Sequence, residues 1–283
     1  VPVPSLIAWL REDQAAFVRA AADLAGLGIA GAGTPGEGRS SGAASALGVE
    51  PRDDLRSDLH EGDCDVILLG DPGAFGTGDR ADASAIVAAH ERGVRVATLE
   101  PVPAGPLDLR AGRWGEVHGG RPVHELVTLV PLLRRSPVLR EGEDAIEQFG
   151  HARTLLVDAF AAPGTVPLGA LVFNALELIG TLFGEPDSID AAYASPAQGT
   201  GVHALAGESL RGLSGDLTAV LRFADGRTAC VRASDRTGMW ARSATLIGAG
   251  GSLTITDDSL VWVGMDGGEV DESRREHADA PAV

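Results

Sequence analysis

Every basic side chain in this sequence is arginine; none of the 23 Lys and Arg residues is a lysine. A guanidinium stays protonated at any accessible pH, whereas a lysine in a dry pocket can exchange protons near neutrality. Arginine cannot take over that role. Gly31-Ala32-Gly33-Thr34-Pro35-Gly36 matches the G-x-G-x-x-G pattern, in which backbone N–H groups and a helix start hold a diphosphate. The match follows a strand-like run and precedes a helical one, but its register is wrong. Only about thirty residues separate it from the next buried strand at Val66, and the run at Leu6 gives the spacing of a first βαβαβ strand. A plain Gly/Pro turn is expected there, with a nucleotide loop at Gly31, Gly33 and Gly36 as the alternative. His118, His124, Glu116 and Glu125 fall within ten residues at no standard zinc spacing, so no metal site is expected. His90 and His151 read as solvated. Ser195, Ser234 and Ser252 lack the strand–turn–helix context of a nucleophilic serine.

The 283 residues are 44% hydrophobic but only 4% aromatic, so the core must be built from Ala, Val and Leu. That length suits two modest domains. The formal net charge of −17 repels phosphate backbones and anionic lipid, which argues against nucleic-acid or membrane-surface partners. No apolar run approaches the ~20 residues of a membrane span, and the start at Val1-Pro2-Val3-Pro4 shows no signal-peptide pattern. Cys64 and Cys230 are the only cysteines and fall in different expected domains. A disulfide is not expected, and a reducing cytoplasm is.

The first hundred residues alternate short apolar runs with helical patterns, which predicts βαβ units and a parallel sheet. Strands are expected at Leu6–Leu10, Ile29–Ala32, Val66–Leu69 and Val94–Leu99. Helices are expected over 13–25, near 39–47 and over Ala81–Arg92. Together they make half of a doubly wound sheet. A Pro-, Gly- and Arg-rich stretch at 101–121 marks a boundary, giving a Rossmann-like domain over 1–120. An α+β domain follows over 121–265, with helices at 140–149 and Leu168–Phe183. Its strands are expected at 153–160, 188–194, 216–223, 227–234, 243–248, 252–256 and 259–264. Ala224-Asp225-Gly226 is a hairpin signal, so this second sheet should be open and antiparallel. The acidic tail 266–283 is expected to be mobile.

Taken in order, several segments resemble the glucose–fructose oxidoreductase / inositol dehydrogenase (Gfo/Idh/MocA) family. The segments are Asp65–Pro72, Ala88–Val96, Leu99-Glu100-Pro101, Ala175–Leu178, Leu182–Pro186, Leu217–Gly226 and Leu246–Leu253. The resemblance implies a nicotinamide dinucleotide held by a glycine-rich turn after the first strand. Here that turn reads Arg11-Glu12-Asp13-Gln14, with two carboxylates where two phosphates would lie. The acidic residue that reads the ribose is replaced by Gly33 or Thr34. The family's proton-transferring lysine matches Glu100, and its aspartate and histidine match Ala170 and Asn174.

These departures lead to the expectation of a degenerate relative that binds no cofactor, has no catalytic residues and serves as a binding or assembly protein. Two alternatives stand beside it. One is an active NAD(P)-dependent sugar or polyol dehydrogenase with displaced residues, Glu100 as base and Asn174 as hydrogen-bond donor. The other is a small-molecule sensor. The resemblance also implies a homo-oligomer joined through the exposed face of the C-terminal sheet. Val220 lies on that face, and Val231, Leu246 and Trp262 on neighbouring strands add apolar surface.

Overall fold

The computed structural model describes residues 2–36, 38–77, 80–105, 108, 113–195 and 210–274. Two compact units divide the chain near Val130, with Leu210 rejoining the first through its N–H bond to Ala104 O (2.7 Å).

The first unit is a parallel sheet of six strands. These are β1 (Ser5–Trp9), β2 (Gly28–Gly33), β3 (Glu50–Arg52), β4 (Val66–Leu69), β5 (Arg95–Thr98) and, after the two-residue hairpin strands β6 (Val117–His118) and β7 (Arg121–Pro122), β8 (Val127–Leu129). The spatial order is β3-β2-β1-β4-β5-β8, a doubly wound arrangement that reverses direction next to β1. Alternation along β1 explains how both faces are covered. Leu6, Ala8 and Leu10 pack with α1 (Ala15–Ala25) and α2 (Ser40–Leu47) through Val18, Ala22, Ala43 and Leu47. Ile7 and Trp9 point the other way, into a core shared with Leu59 of α3 (Leu55–Glu61) and with Ala85, Ile86 and Ala89 of α4 (Arg80–Glu91). Burying one such large aliphatic side chain contributes about 1.5–3 kcal/mol. α1 ends where Gly26 takes the left-handed conformation (φ 66°). α3 starts at Asp54, whose carboxylate accepts from the N–H groups of Arg56 and Ser57.

The sequence suggested only half of a doubly wound sheet ending at residue 120. β3, α3 and β8 were missing from that reading, and β8 carries the first unit on to Val130. Glu50-Pro51-Arg52 has no apolar run to announce a strand; its place is set by pairing with Gly31, Ala32 and Gly33.

The second unit is built on one sheet of eight strands: β9 (Ala152–Phe160), β10 (Ser188–Ala194), β11 (Asp216–Arg222), β12 (Thr228–Ser234), β13 (Ala241–Gly248), β14 (Gly251–Thr256), β15 (Ser259–Val263) and β16 (Glu269–Arg274). Their order is β10-β11-β12-β9-β13-β14-β15-β16, antiparallel throughout except where β9 runs parallel to β12. Among the described residues this unit has three α-helices: α5 (Pro137–Glu141), α6 (Glu143–Phe149) and α7 (Leu168–Phe183). α7 turns Leu168, Leu171, Ala175, Leu178 and Ile179 into the core against Leu155, Val157, Leu221 and Val231. The expected mobile tail is corrected in part: Glu269–Arg274 forms β16 beside β15, and residues 275–283 lie outside the described residues.

Candidate active site

In a doubly wound sheet, ligands bind at the carboxyl ends of the strands beside the reversal of strand order, because loops diverge there. In the first unit those ends carry Arg11 after β1, Asp71 after β4 and Glu100 after β5. The Arg11 guanidinium lies 3.2 Å from Asp13, 3.9 Å from Asp71 and 3.7 Å from Glu100. One cation thus faces three carboxylates. Glu100 is the most enclosed of the three, its side chain only 6% exposed.

The backbone that presents Glu100 is pinned independently of its side chain. Leu99 N–H donates to Leu69 O (2.9 Å), and the Thr98 hydroxyl donates to the Glu100 carbonyl (2.6 Å) while accepting the Glu100 N–H (3.2 Å). Asp71 accepts the N–H of Gly73 (2.9 Å), closing a tight turn. The loop behind it is held by Asp82, which is fully buried; it pairs with Arg56 (2.6 Å) and accepts the Gly76 N–H (2.6 Å).

The turn after β1 is a short 3-10 segment, Glu12–Gln14, leading into α1. Arg11 N–H donates to Gln14 Oε1 (2.9 Å), and the Gln14 amide donates to Gly70 O (3.2 Å). A diphosphate cradled by backbone N–H groups does not fit this turn: the Arg11 N–H is already bonded, and Glu12 and Asp13 bring negative charge. The Glu12 carboxylate lies over α2, where a Cβ at Gly42 would sit 2.7 Å from Glu12 Oε2.

The Gly31–Gly36 pattern begins within β2 and runs into the loop beyond. Its glycines have packing reasons. A Cβ at Gly33 would fall 2.6 Å from the Trp9 indole, and one at Gly31 would fall 2.6 Å from Arg52 Nε. Gly36 takes φ +103° in the turn.

Trp9, Arg52 and Asp58 form a group that the sequence did not announce. The Trp9 indole N–H donates to Asp58 Oδ2 (3.2 Å), and Arg52 lies 3.6 Å from Oδ1. Burial pushes the Asp58 carboxyl above its ordinary value, with Arg52 and the Trp9 bond working against the rise. Burial likewise pushes the Cys64 thiol up, with nearby Arg92 opposing. Both cysteines are free.

In the second unit, Ala170 and Asn174 lie on α7. Ala170 is buried, and both polar atoms of the Asn174 amide are used internally. Oδ1 accepts the Leu132 N–H (2.8 Å) and Nδ2 donates to Ala170 O (3.0 Å). The Asn174 amide thereby anchors the segment leading into α5.

His118 and His124 turn apart. His118 Nε2 lies 3.4 Å from Glu91, and His124 Nδ1 donates to Trp114 O (2.9 Å). Among the described residues no group of three or more His, Cys, Asp or Glu is arranged to hold a metal ion, and no helix is long and apolar enough to cross a membrane.

No family model matches the sequence, and no curated protein is similar to it. Solved structures are similar over nearly the whole chain. UDP-N-acetylglucosamine 3-dehydrogenase from Acidithiobacillus ferrooxidans superimposes with a TM-score of 0.64 at 15% identity, covering 98% of this chain and 85% of that one. Levoglucosan dehydrogenase in complex with NADH and levoglucosan gives 0.66 at 15% identity, covering 95% and 78%. Biliverdin reductase from Synechocystis, in complex with biliverdin and NADP+, gives 0.65 at 15% identity, covering 98% and 86%. The fold is that of the Gfo/Idh/MocA-type oxidoreductases.

These similarities overturn two expectations. A non-catalytic binding or assembly role, and the absence of any cofactor, were inferred from the missing glycine turn and the missing lysine. Similar structures include dehydrogenases in complex with NADH and a reductase in complex with NADP+, and they favour the active dinucleotide-dependent alternative. The physical reason is one of scale. The altered turn removes one way of holding a diphosphate, whereas the fold is similar over 95% or more of this chain.

Proposed function

We propose that this chain is an oxidoreductase that takes a nicotinamide dinucleotide and acts on a hydroxylated, sugar- or polyol-like substrate, with Glu100 as its acid–base group. The observation that carries the reading is the likeness over 95% of the chain to a dehydrogenase whose structure holds NADH together with a sugar, levoglucosan. Support at the residue level comes from Glu100. Its carboxylate sits at the carboxyl end of β5, enclosed and beside Arg11, where the family resemblance puts lysine. A carboxylate can accept a proton from a hydroxyl and return it, the task a lysine performs.

The test is to titrate the purified chain with NADH and NADPH by fluorescence, then to screen turnover on sugars and polyols. Glu100→Gln should keep dinucleotide affinity and lower kcat by about 10²–10⁴-fold. Undiminished turnover in that variant removes Glu100 from the chemistry; absence of both binding and turnover in the parent protein rejects the reading.

A homo-oligomer formed through the open face of the second sheet remains a proposal. One cross-strand row on that face reads Val220, Cys230, Leu156, Thr245, Thr254 and Val261, with Ile247 on the adjacent row. Leu156 and Ile247 are 37% and 41% exposed. Val231 and Leu246, expected to add to this surface, are instead core residues, and Trp262 packs against Phe149 with ring centroids 5.7 Å apart. Light scattering from 50 to 500 mM salt should give a dimer or larger mass, and Leu156→Asp should give a monomer. A monomeric parent protein removes the proposal.

A further inference from the structure

Two neighbouring clefts border α6 and α7 in the second unit, and their charges differ. One, of about 360 Å³, sets Arg134 and Arg135 against Glu143 and Glu147. The other, of about 520 Å³, has the size of a small-molecule site, for which about 300–1,000 Å³ is usual. Ile146 of α6, Leu182 and Phe183 of α7 and Leu246 of β13 give it apolar walls. Among the described residues that line it, Asp225 is the only carboxylate, against the guanidiniums of Arg153 and Arg227, with His151 at the rim. The first cleft is balanced. The second is positive, in a chain of formal charge −17.

The Arg227 guanidinium is fixed by its surroundings. Asp225, in the hairpin turn Ala224-Asp225-Gly226, accepts the Arg227 N–H (3.1 Å) and its Nε–H (2.6 Å). Nη2 donates to Phe183 O at the end of α7 (2.9 Å). The guanidinium carbon lies 4.6 Å from the centre of the Phe183 ring and 5.5 Å from that of Phe223. A cation held in this way loses little further freedom when it meets an anion. Arg153 stands beside it. Thr154 and Thr228 are partners in register on the parallel strands β9 and β12, and Arg153 and Arg227 each come one residue earlier. Two guanidiniums on neighbouring strands repel one another, and one carboxylate between them would remove that cost. Ser195 and Arg274, where the described residues of this unit stop, lie at the other end of the sheet from these two arginines.

We infer that this cleft binds a small organic monocarboxylate. Its apolar chain or ring lies against Ile146, Leu182 and Phe183, and its carboxylate meets Arg153 and Arg227. Two guanidiniums against one carboxylate in the lining call for a single negative charge. The apolar walls call for a hydrocarbon body, which free phosphate lacks. Every wall belongs to the second unit, so the inference stands apart from the dinucleotide reading.

The test is calorimetric titration of the full chain with octanoate, with octan-1-ol and inorganic phosphate as probes of its two halves. Octanoate should saturate one site and bind about tenfold or more tightly than either probe. Arg153 is exposed, so Arg153→Gln should leave the urea midpoint in place. It should weaken octanoate about tenfold and leave octan-1-ol unchanged, and Arg153→Lys should retain part of the affinity. Proton NMR gives the location: the His151 ring resonance, assigned by its loss in His151→Gln, should shift as octanoate saturates. Octanoate binding no tighter than octan-1-ol or phosphate overturns the inference. So does unchanged octanoate affinity in Arg153→Gln, a His151 resonance that stays still at saturation, or the absence of saturable octanoate binding.

Discussion

The carboxyl ends of β1, β4 and β5 and the head of α7 have diverged in opposite ways. In the first unit, Arg11 lies within 4 Å of both Asp71 and Glu100, so the altered residues still make a charged cluster. On α7, Ala170 presents no functional group and Asn174 is bonded through both ends of its amide. The same kind of substitution leaves usable chemistry where the side chain ends among other charges. It leaves less where the backbone has taken the new group as a partner.

The largest expected effect concerns what supports the charged cluster. Asp82→Ala strips a buried carboxylate from Arg56 and from the Gly76 N–H, and should cost about 3 kcal/mol, read as a lowered urea midpoint. Asp82→Asn should recover part of the loss through the Gly76 bond. A cost below 1 kcal/mol would mean that the loop carrying Asp71 holds itself in place. Next is Asn174→Ala, which orphans the Leu132 N–H and should cost about 2 kcal/mol with no change in dinucleotide affinity. A marked change in affinity at unchanged stability would return Asn174 to the site and break the contrast drawn above. Gly33→Ala should cost about 1–2 kcal/mol by driving a methyl group into the Trp9 indole, with a change in Trp fluorescence. Unchanged stability would remove the packing reason for that glycine.

The smallest effect is a pH slope. The Asp58 carboxyl is raised by burial above 3.8, so the folded chain binds that proton more tightly than the unfolded chain does. Its contribution is fully present below the unfolded value and is lost as pH rises through the raised folded one. Comparing urea midpoints of the parent and Asp58→Asn from pH 4 to 7 should show the parent losing ground as pH increases. Asparagine can still accept the Trp9 indole N–H. An opposite slope would mean that Arg52, and not burial, governs the group.

Much of the fold was legible because apolar runs announce buried strands and helix faces. Val66–Leu69 and Leu168–Phe183 appear where they were expected. Segment 50–61 was not legible: β3 has no apolar run, and α3 shows Leu55 and Leu59 as its only apolar side chains. Face assignment was weakest in the second sheet, where Val231 and Leu246 belong to the core because β12 and β13 both flank β9, which the linear pattern does not reveal. Of the site, Glu100 could be placed by the flanking Leu99 and Pro101. The fate of Asn174 could not, since its partner Leu132 lies 42 residues away. The inference of lost function failed for a related reason: a missing glycine turn is visible in sequence, whereas retained architecture is visible only in three dimensions.

The Thr98 hydroxyl grips the backbone on both sides of residue 100, and Leu69 holds the preceding N–H. None of these contacts involves the side chain at 100. The position therefore behaves as an interchangeable socket. A change of side chain at 100 leaves these backbone bonds in place, so the frame and the reagent it carries can vary separately.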